Sequence, residues 1–102
     1  MYTLKTTKRF NSDFRRCIRQ GKSVQAFRET VEILAETGTL PIEYRPHQLR
    51  DNFAGCWECH IDDDWLLIWR QDDDKLTLLL TNTGTHEELF HPLQLRNKTF
   101  TK

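Results

Sequence analysis

The chain is poor in the residues that would mark a stapled, membrane-spanning or fibrous protein. Its 102 residues include only 3 Cys, 3 Pro, 4 Gly and 1 Met. An odd cysteine count is a poor basis for a disulfide framework. The first residues, Met1 to Asn11, are polar and basic with no apolar segment, so no secretory signal is expected. Reduced thiols and a cytoplasmic location follow as expectations. No run approaches the roughly 18 consecutive apolar residues of a membrane span, so no membrane partner is expected. Repeats, linkers and low-complexity tracts are missing too. What remains is 37% hydrophobic and 11% aromatic, too apolar for a disordered chain. The length supports one domain over residues 1–102 that buries roughly two thirds of its unfolded surface.

A net charge is also missing, because 15 Lys+Arg balance 15 Asp+Glu. The balance conceals an asymmetry: residues 1–50 hold 10 of the basic and 5 of the acidic residues, and residues 51–102 hold the reverse. Lys5, Lys8, Arg9, Arg15, Arg16, Arg19, Lys22 and Arg28 are set against Asp13 alone. Such a face suits a polyanion, although a solvated helix face is the simpler explanation of the charge by itself.

Periodicity divides the chain into helices first and strands later. Tyr2 to Thr6 alternates as a short strand does. Phe10, Phe14, Cys17 and Ile18 form one helical stripe that Gly21 ends, and Ser23 caps a second helix with the stripe Val24, Phe27, Val31 and Leu34, ending at Gly38. From Phe53 the period becomes two, giving strands over Phe53–Ile61, Trp65–Arg70 and Leu76–Thr81. Asp62-Asp63-Asp64 and Asp72-Asp73-Asp74 fall between them as turns, and neither has the ligand spacing of a Ca²⁺ loop. Thr85 with Glu88 three residues on is a capping box for a short helix from Thr85 to Phe90. Helices followed by strands give an α+β class: an N-terminal strand and helical hairpin packed on a small antiparallel sheet, with a short C-terminal helix. The hairpin covers one sheet face and leaves the other at least partly open as a binding surface.

Cys56-Trp57-Glu58-Cys59-His60 has the C-x-x-C-H spacing of covalent haem attachment. Strand alternation puts Cys56, Glu58 and His60 on one face and Trp57, Cys59 and Ile61 on the other, which separates the two thiols. The same argument weighs against a zinc site from Cys56, Cys59, His60 and His47, so neither a cofactor nor a metal is expected. The histidines are more informative as a set. His60 ends one strand, Asp64 opens the next across a tight turn, and His86 opens the last helix. His47 lies between Arg45 and Arg50. Imidazoles beside a carboxylate move protons near neutral pH without a metal. Cleavage of RNA by its own 2′-hydroxyl needs such a base and acid, with positive charge on the phosphate, for which Arg45, Arg50 and Arg70 are available. Trp57, Trp65 and Trp69 are core candidates, and Trp65 at a strand start is also a candidate to stack on a base.

The order His47-Gln48-Leu49, Phe53-Ala54-Gly55, His60, Asp64-Trp65-Leu66-Leu67-Ile68-Trp69 and Thr83-Gly84-Thr85-His86-Glu87-Glu88-Leu89-Phe90 resembles the YafQ-type toxins of the RelE/ParE superfamily over about residues 40–90. The resemblance implies a RelE-like fold and the toxin of a type II toxin-antitoxin pair. It also implies a ribosome-dependent endoribonuclease that enters the A site of the 70S ribosome and cuts mRNA there without a metal. A cognate antitoxin, a ribbon-helix-helix or similar DNA-binding protein, is the implied partner. Carried over by position, His47, His60, Asp64, His86 and Phe90 fall on active-site positions. His47 and His60 would transfer protons, Asp64 would orient a histidine, His86 would act at the phosphate and Phe90 would position the nucleotide. The sequence departs from the pattern where a basic residue is expected before the T-G-T-H run and Asn82 stands instead, and Trp57 occupies another basic position. The chain is neutral where the family is usually basic, and residues 91–102 form an extension past the family's usual end at Phe90. Arg70 on the neighbouring strand is the candidate to replace the charge missing at Asn82. The superfamily also includes gyrase-poisoning toxins without a nuclease site, so a ParE-like toxin acting by binding is the alternative.

Overall fold

The structure is a computed structural model that describes residues 1–90; the extension expected at 91–102 lies outside the described residues. Strand β1 (Thr3–Thr6) leads into helix α1 (Lys8–Arg19) and helix α2 (Val24–Thr37). Strands β2 (His47–Gln48), β3 (Trp57–Asp62), β4 (Trp65–Asp72) and β5 (Thr77–Gly84) follow, and helix α3 (His86–Phe90) closes the described chain.

Each helix of the hairpin starts on a side-chain cap, of which the one at Ser23 is expected from sequence and the one at Thr7 is not. The Thr7 hydroxyl accepts from the Phe10 N–H at 3.0 Å, and the Ser23 hydroxyl accepts from the Ala26 N–H at 3.1 Å. Gly38 ends α2 with φ 77°, and the Tyr2 ring lies 2.6 Å from where its Cβ would be, so both backbone and space require glycine. One stripe position differs from expectation: Val24 is exposed. Asp13, outside the apolar stripe of α1, is buried.

The five strands form one sheet in the order β1-β5-β4-β3-β2. β3, β4 and β5 pair antiparallel, as expected; β2, not foreseen from sequence, adds to β3 antiparallel, and β1 joins β5 in parallel, which makes the sheet mixed. The strand expected from Phe53 begins instead at Trp57. Asp51 and Gly55 have φ of 57° and 88°, and Asp51–Phe53 forms a 3₁₀ turn that breaks the extended run. At the start of β5, Leu76 is in the left-handed region at φ 52°, so pairing begins at Thr77 and continues to Gly84, past the expected Thr81.

The helical hairpin packs on one sheet face around Phe10, Cys17, Leu34, Cys59, Leu67, Trp69, Leu78 and Leu80. Phe14 and Phe27 meet at 4.6 Å between ring centroids, and Trp57 stacks on Trp69 at 6.3 Å. The opposite face is less open than expected. Cys56, Leu66, Ile68 and Leu89 are buried there, with Leu49, Phe53 and Phe90 packed around them. This second, smaller core adjoins the polar side chains of β3, because Ile68 pairs with Glu58 and Leu66 with His60.

Candidate active site

The alternation of β3 creates the site. Trp57, Cys59 and Ile61 turn toward the helical hairpin, so Glu58 and His60 turn toward the other face. Glu58 pairs with His47 of β2 on one side and Ile68 of β4 on the other, and its side chain is only 3% exposed. His47 Nε2 lies 3.0 Å from Glu58 Oε1, and His47 Nδ1 lies 2.9 Å from the Arg45 carbonyl. A carbonyl only accepts, so Nδ1 carries a proton and donates it. The proton between Nε2 and Oε1 is therefore shared by an imidazole and a carboxylate. Glu58 Oε2 is buried without a hydrogen-bond partner among the described residues. Burial pushes the Glu58 carboxyl above the usual carboxylate range, and His47, His86 and His60 oppose that shift in decreasing order.

His60 follows two residues later on the same face, opposite Leu66. Its ring centroid lies 6.4 Å from that of His86, which lies 5.4 Å from that of Phe90. Phe90 in turn meets Phe53 edge-on at 5.5 Å. Neither the His60 nor the His86 ring forms a hydrogen bond among the described residues, whereas His47 has both nitrogens engaged. A cleft of ≈ 270 Å³ lined by Tyr44, Arg45, His60 and Ile61 opens beside His60.

Helix α3 is one turn long and cannot be stable on propensity alone. Contacts within the turn and with the sheet help to set its place. The capping box forms: Thr85 Oγ1 accepts from the Glu88 N–H at 3.1 Å, and Glu88 Oε1 accepts from the Thr85 N–H at 2.9 Å. The His86 backbone N–H donates to Asp64 Oδ1 at 3.0 Å, and Leu89 is buried in the second core. Asp64 thus orients His86 through its backbone and not through the ring.

His47, His60, Asp64, His86 and Phe90, singled out from sequence, are brought together at one end of this face. Trp65 is not among them, and its expected stacking role is corrected. It is 2% exposed, lies against Phe27 at 6.4 Å, and its Nε1–H donates to Thr83 Oγ1 at 2.8 Å. It therefore has no face to offer a base. Arg45, Arg50 and Arg70 are exposed and form no ion pair among the described residues. Arg45 also fixes His47 through its carbonyl. Asn82 pairs with Ile68 in the Glu58 row, whereas Arg70 pairs with Leu79 two residues along β4, about 7 Å away by strand geometry. Arg70 thus shares the face with the position that lacks a basic residue, with its guanidinium over Gly55.

Glu58 is the residue that sequence reasoning missed. The signal was present: it is an acidic residue inside a strand, on the same face as His60. Cys56 and Cys59 belong to the two different cores, on opposite faces, and burial pushes the Cys59 thiol up to about 12. Among the described residues, no group of three or more His, Cys, Asp or Glu is arranged to hold a metal ion, and no helix is long and apolar enough to cross a membrane.

Comparison with known proteins shows which family the chain resembles in sequence and fold. The family described as "Bacterial toxin of type II toxin-antitoxin system, YafQ" matches residues 2–91. The "mRNA interferase toxin YafQ" of Escherichia coli BL21-DE3 is 29% identical over 82 residues, 79% of this chain and 87% of that protein. A metal-bound toxin from Helicobacter pylori superposes with a TM-score of 0.80 at 31% identity, over 88% of this chain and 100% of that one. YafQ in the E. coli DinJ-YafQ complex superposes with a TM-score of 0.78 at 25% identity, over 88% and 99%. The chain belongs to the YafQ toxin family.

Proposed function

We propose that this member of the YafQ toxin family is an mRNA interferase that acts on translating ribosomes. It cuts mRNA in the A site by acid/base catalysis with no metal in the chemical step. The observation that carries the reading is the pairing of His47 with the buried Glu58 beside the His60 and His86 rings, 6.4 Å apart and without a hydrogen bond among the described residues. Attack of a ribose 2′-hydroxyl on the adjacent phosphorus needs a group to take the hydroxyl proton and another to protonate the departing 5′-oxygen. Rings 6.4 Å apart fit on either side of one phosphate. His60 and His86 are the pair, one taking and one giving. The products are a 2′,3′-cyclic phosphate and a 5′-hydroxyl.

The remaining groups assist this step. His47, held between the Arg45 carbonyl and Glu58, fixes the Glu58 carboxyl beside the pair. Asp64 keeps His86 in place. Phe90 offers a ring edge and face beside His86 for a nucleotide. Arg45, Arg50 and Arg70 supply phosphate contacts, each charge-assisted bond contributing about 1.5–3 kcal/mol. The exposed basic side chains of the N-terminal half, Lys8, Arg15, Arg19 and Arg28, provide the charge for docking on ribosomal RNA in the cytoplasm. A DNA-binding antitoxin is the partner that silences the toxin, as the complex with DinJ suggests for a relative.

The test is toeprinting on programmed ribosomes with purified protein. Cuts confined to the A-site codon, with cyclic-phosphate ends, are expected. A single 2′-deoxy nucleotide at the scissile position should abolish them, and a transition-metal chelator such as phenanthroline should leave them unchanged at constant Mg²⁺. Intact mRNA during growth arrest would reject the nuclease, and gyrase-linked DNA breaks in its place would point to a toxin that acts by binding.

A further inference from the structure

The polar cluster between α1 and the end of β5 is not part of the site, yet it holds both ends of the segment that carries His86. β1 pairs with β5 only as far as Thr6 with Leu80. Beyond that point the outer edge of β5 would be left without partners. Side chains of α1 take over. Thr7 Oγ1 donates to the Thr81 carbonyl at 3.2 Å, Asp13 Oδ2 accepts from the Thr83 N–H at 3.2 Å, and Arg16 Nη2 donates to the Thr83 carbonyl at 2.9 Å. Asp13 is 2% exposed and accepts from both Arg9 and Arg16 at 3.1 Å.

The same guanidinium reaches the next element. Arg16 Nη2 lies 3.3 Å from Glu88 Oε1, and its Nε lies 3.3 Å from Glu88 Oε2. Nε is buried and has no well-aligned hydrogen bond, so its link to Glu88 is one of charge. Gln20 Nε2 donates to Glu88 Oε2 at 3.1 Å. Glu88 is the capping-box residue whose Oε1 receives the Thr85 N–H. Gly84 lies under this contact: a Cβ there would come within 2.6 Å of Arg16 Nη2 and 2.8 Å of Glu88 Oε1. Arg16 therefore grips the chain at Thr83, the residue after Asn82, and again at Glu88, with His86 between.

We propose that Arg16 is a positioning residue for His86, its planar fork setting where α3 leaves the sheet and hence where the imidazole stands relative to His60. The fork geometry is what matters, because a lysine ammonium is a single point charge and cannot span Asp13, Thr83 and Glu88 together. The proposal rests on the nuclease reading for its kinetic consequence, but the structural relation between Arg16 and His86 does not.

Arg16→Met keeps the length and apolar stem of the side chain and removes the fork. Single-turnover cleavage on programmed ribosomes should slow by about 30-fold at saturating ribosome, as an ångström-scale misplacement implies, with half-saturation within about 2-fold of the unsubstituted protein. Arg16→Lys should recover only part of the rate. In ¹H–¹⁵N spectra of the imidazoles the His86 resonances should move, while those of His47 and His60 stay. Unchanged cleavage with an unmoved His86 signal overturns the proposal. So does a uniform shift of all three histidines, which would mean general loosening. If Arg16→Met does not fold by circular dichroism, Glu88→Gln, which keeps the cap and loses the charge, decides by the same two readouts. Should the unsubstituted protein fail to cut mRNA at all, the nuclease reading falls, and the spectra alone still decide the relation between Arg16 and His86.

Discussion

The backbone N–H of His86 donates to the Asp64 carboxylate at 3.0 Å, across a sequence separation of 22 residues. The turn between β3 and β4 is thereby fastened to the first residue of α3, and the histidine that opens the helix is held over the strand that carries His60. The carboxylate acts on the main chain, so the His86 ring keeps both nitrogens for substrate.

Asp64→Ala should release that fastening and lower A-site cleavage by about 10- to 100-fold, the range expected for a catalytic group displaced by an ångström. Asp64→Asn keeps an acceptor oxygen and should retain most of the rate. Equal loss in both variants would mean that the charge, and not the bond to His86, is what matters. Rates on programmed ribosomes distinguish the two.

His60→Ala and His86→Ala should each slow cleavage by about 10²- to 10⁴-fold, as for loss of a general acid or base. Both should relieve growth arrest on induction. Both rings sit at the rim of the second core, so far-ultraviolet circular dichroism and the melting midpoint should stay close to those of the unsubstituted protein. Persistent toxicity in the two variants would remove the site from the mechanism.

Glu58 gives a pH dependence with a defined sign. Its carboxyl is held above the usual carboxylate range by burial. It stays protonated to higher pH when folded than when unfolded, so its contribution to stability is present at low pH and is lost as pH rises through the folded value. Compared with Glu58→Gln, the parent protein should therefore lose stability progressively as pH is raised from about 4. Cleavage should show an acidic limb above the ordinary glutamate range that disappears in Glu58→Gln. Parallel melting curves for the two proteins across pH would contradict this.

Trp65→Ala should destabilise the fold by about 3–5 kcal/mol, the usual cost of deleting a large buried aromatic. The loss includes the bond from its Nε1–H to Thr83 Oγ1, which leaves a buried hydroxyl with one partner fewer. Trp65→Phe, which keeps most of the ring, should fold and cut mRNA at nearly the parental rate. A large, selective loss of RNA affinity in Trp65→Phe would restore the stacking role. Urea unfolding and filter binding measure the two effects.

The sequence by itself determined the local order of this protein. Helical stripes, the cap at Ser23, the stops at Gly21 and Gly38, and the period-two runs placed α1, α2 and β3 to β5 within a few residues, because caps and periodicity are properties of neighbouring residues. The same alternation separated Cys56 from Cys59 and set Glu58 beside His60, although the importance of Glu58 was not evident without its partners. The misplaced starts of β3 and β5 both trace to positive φ at Asp51, Gly55 and Leu76, exposed turn positions whose backbone conformation apolar patterning does not signal. Only the tertiary structure decided the parallel pairing of β1, the burial of Trp65 and Asp13, and the meeting of His47 with Glu58 and of His86 with Asp64. Those are contacts between residues far apart in the chain, and which of many sterically allowed pairings forms depends on how the whole sheet closes over its core, a quantity no short window of sequence contains.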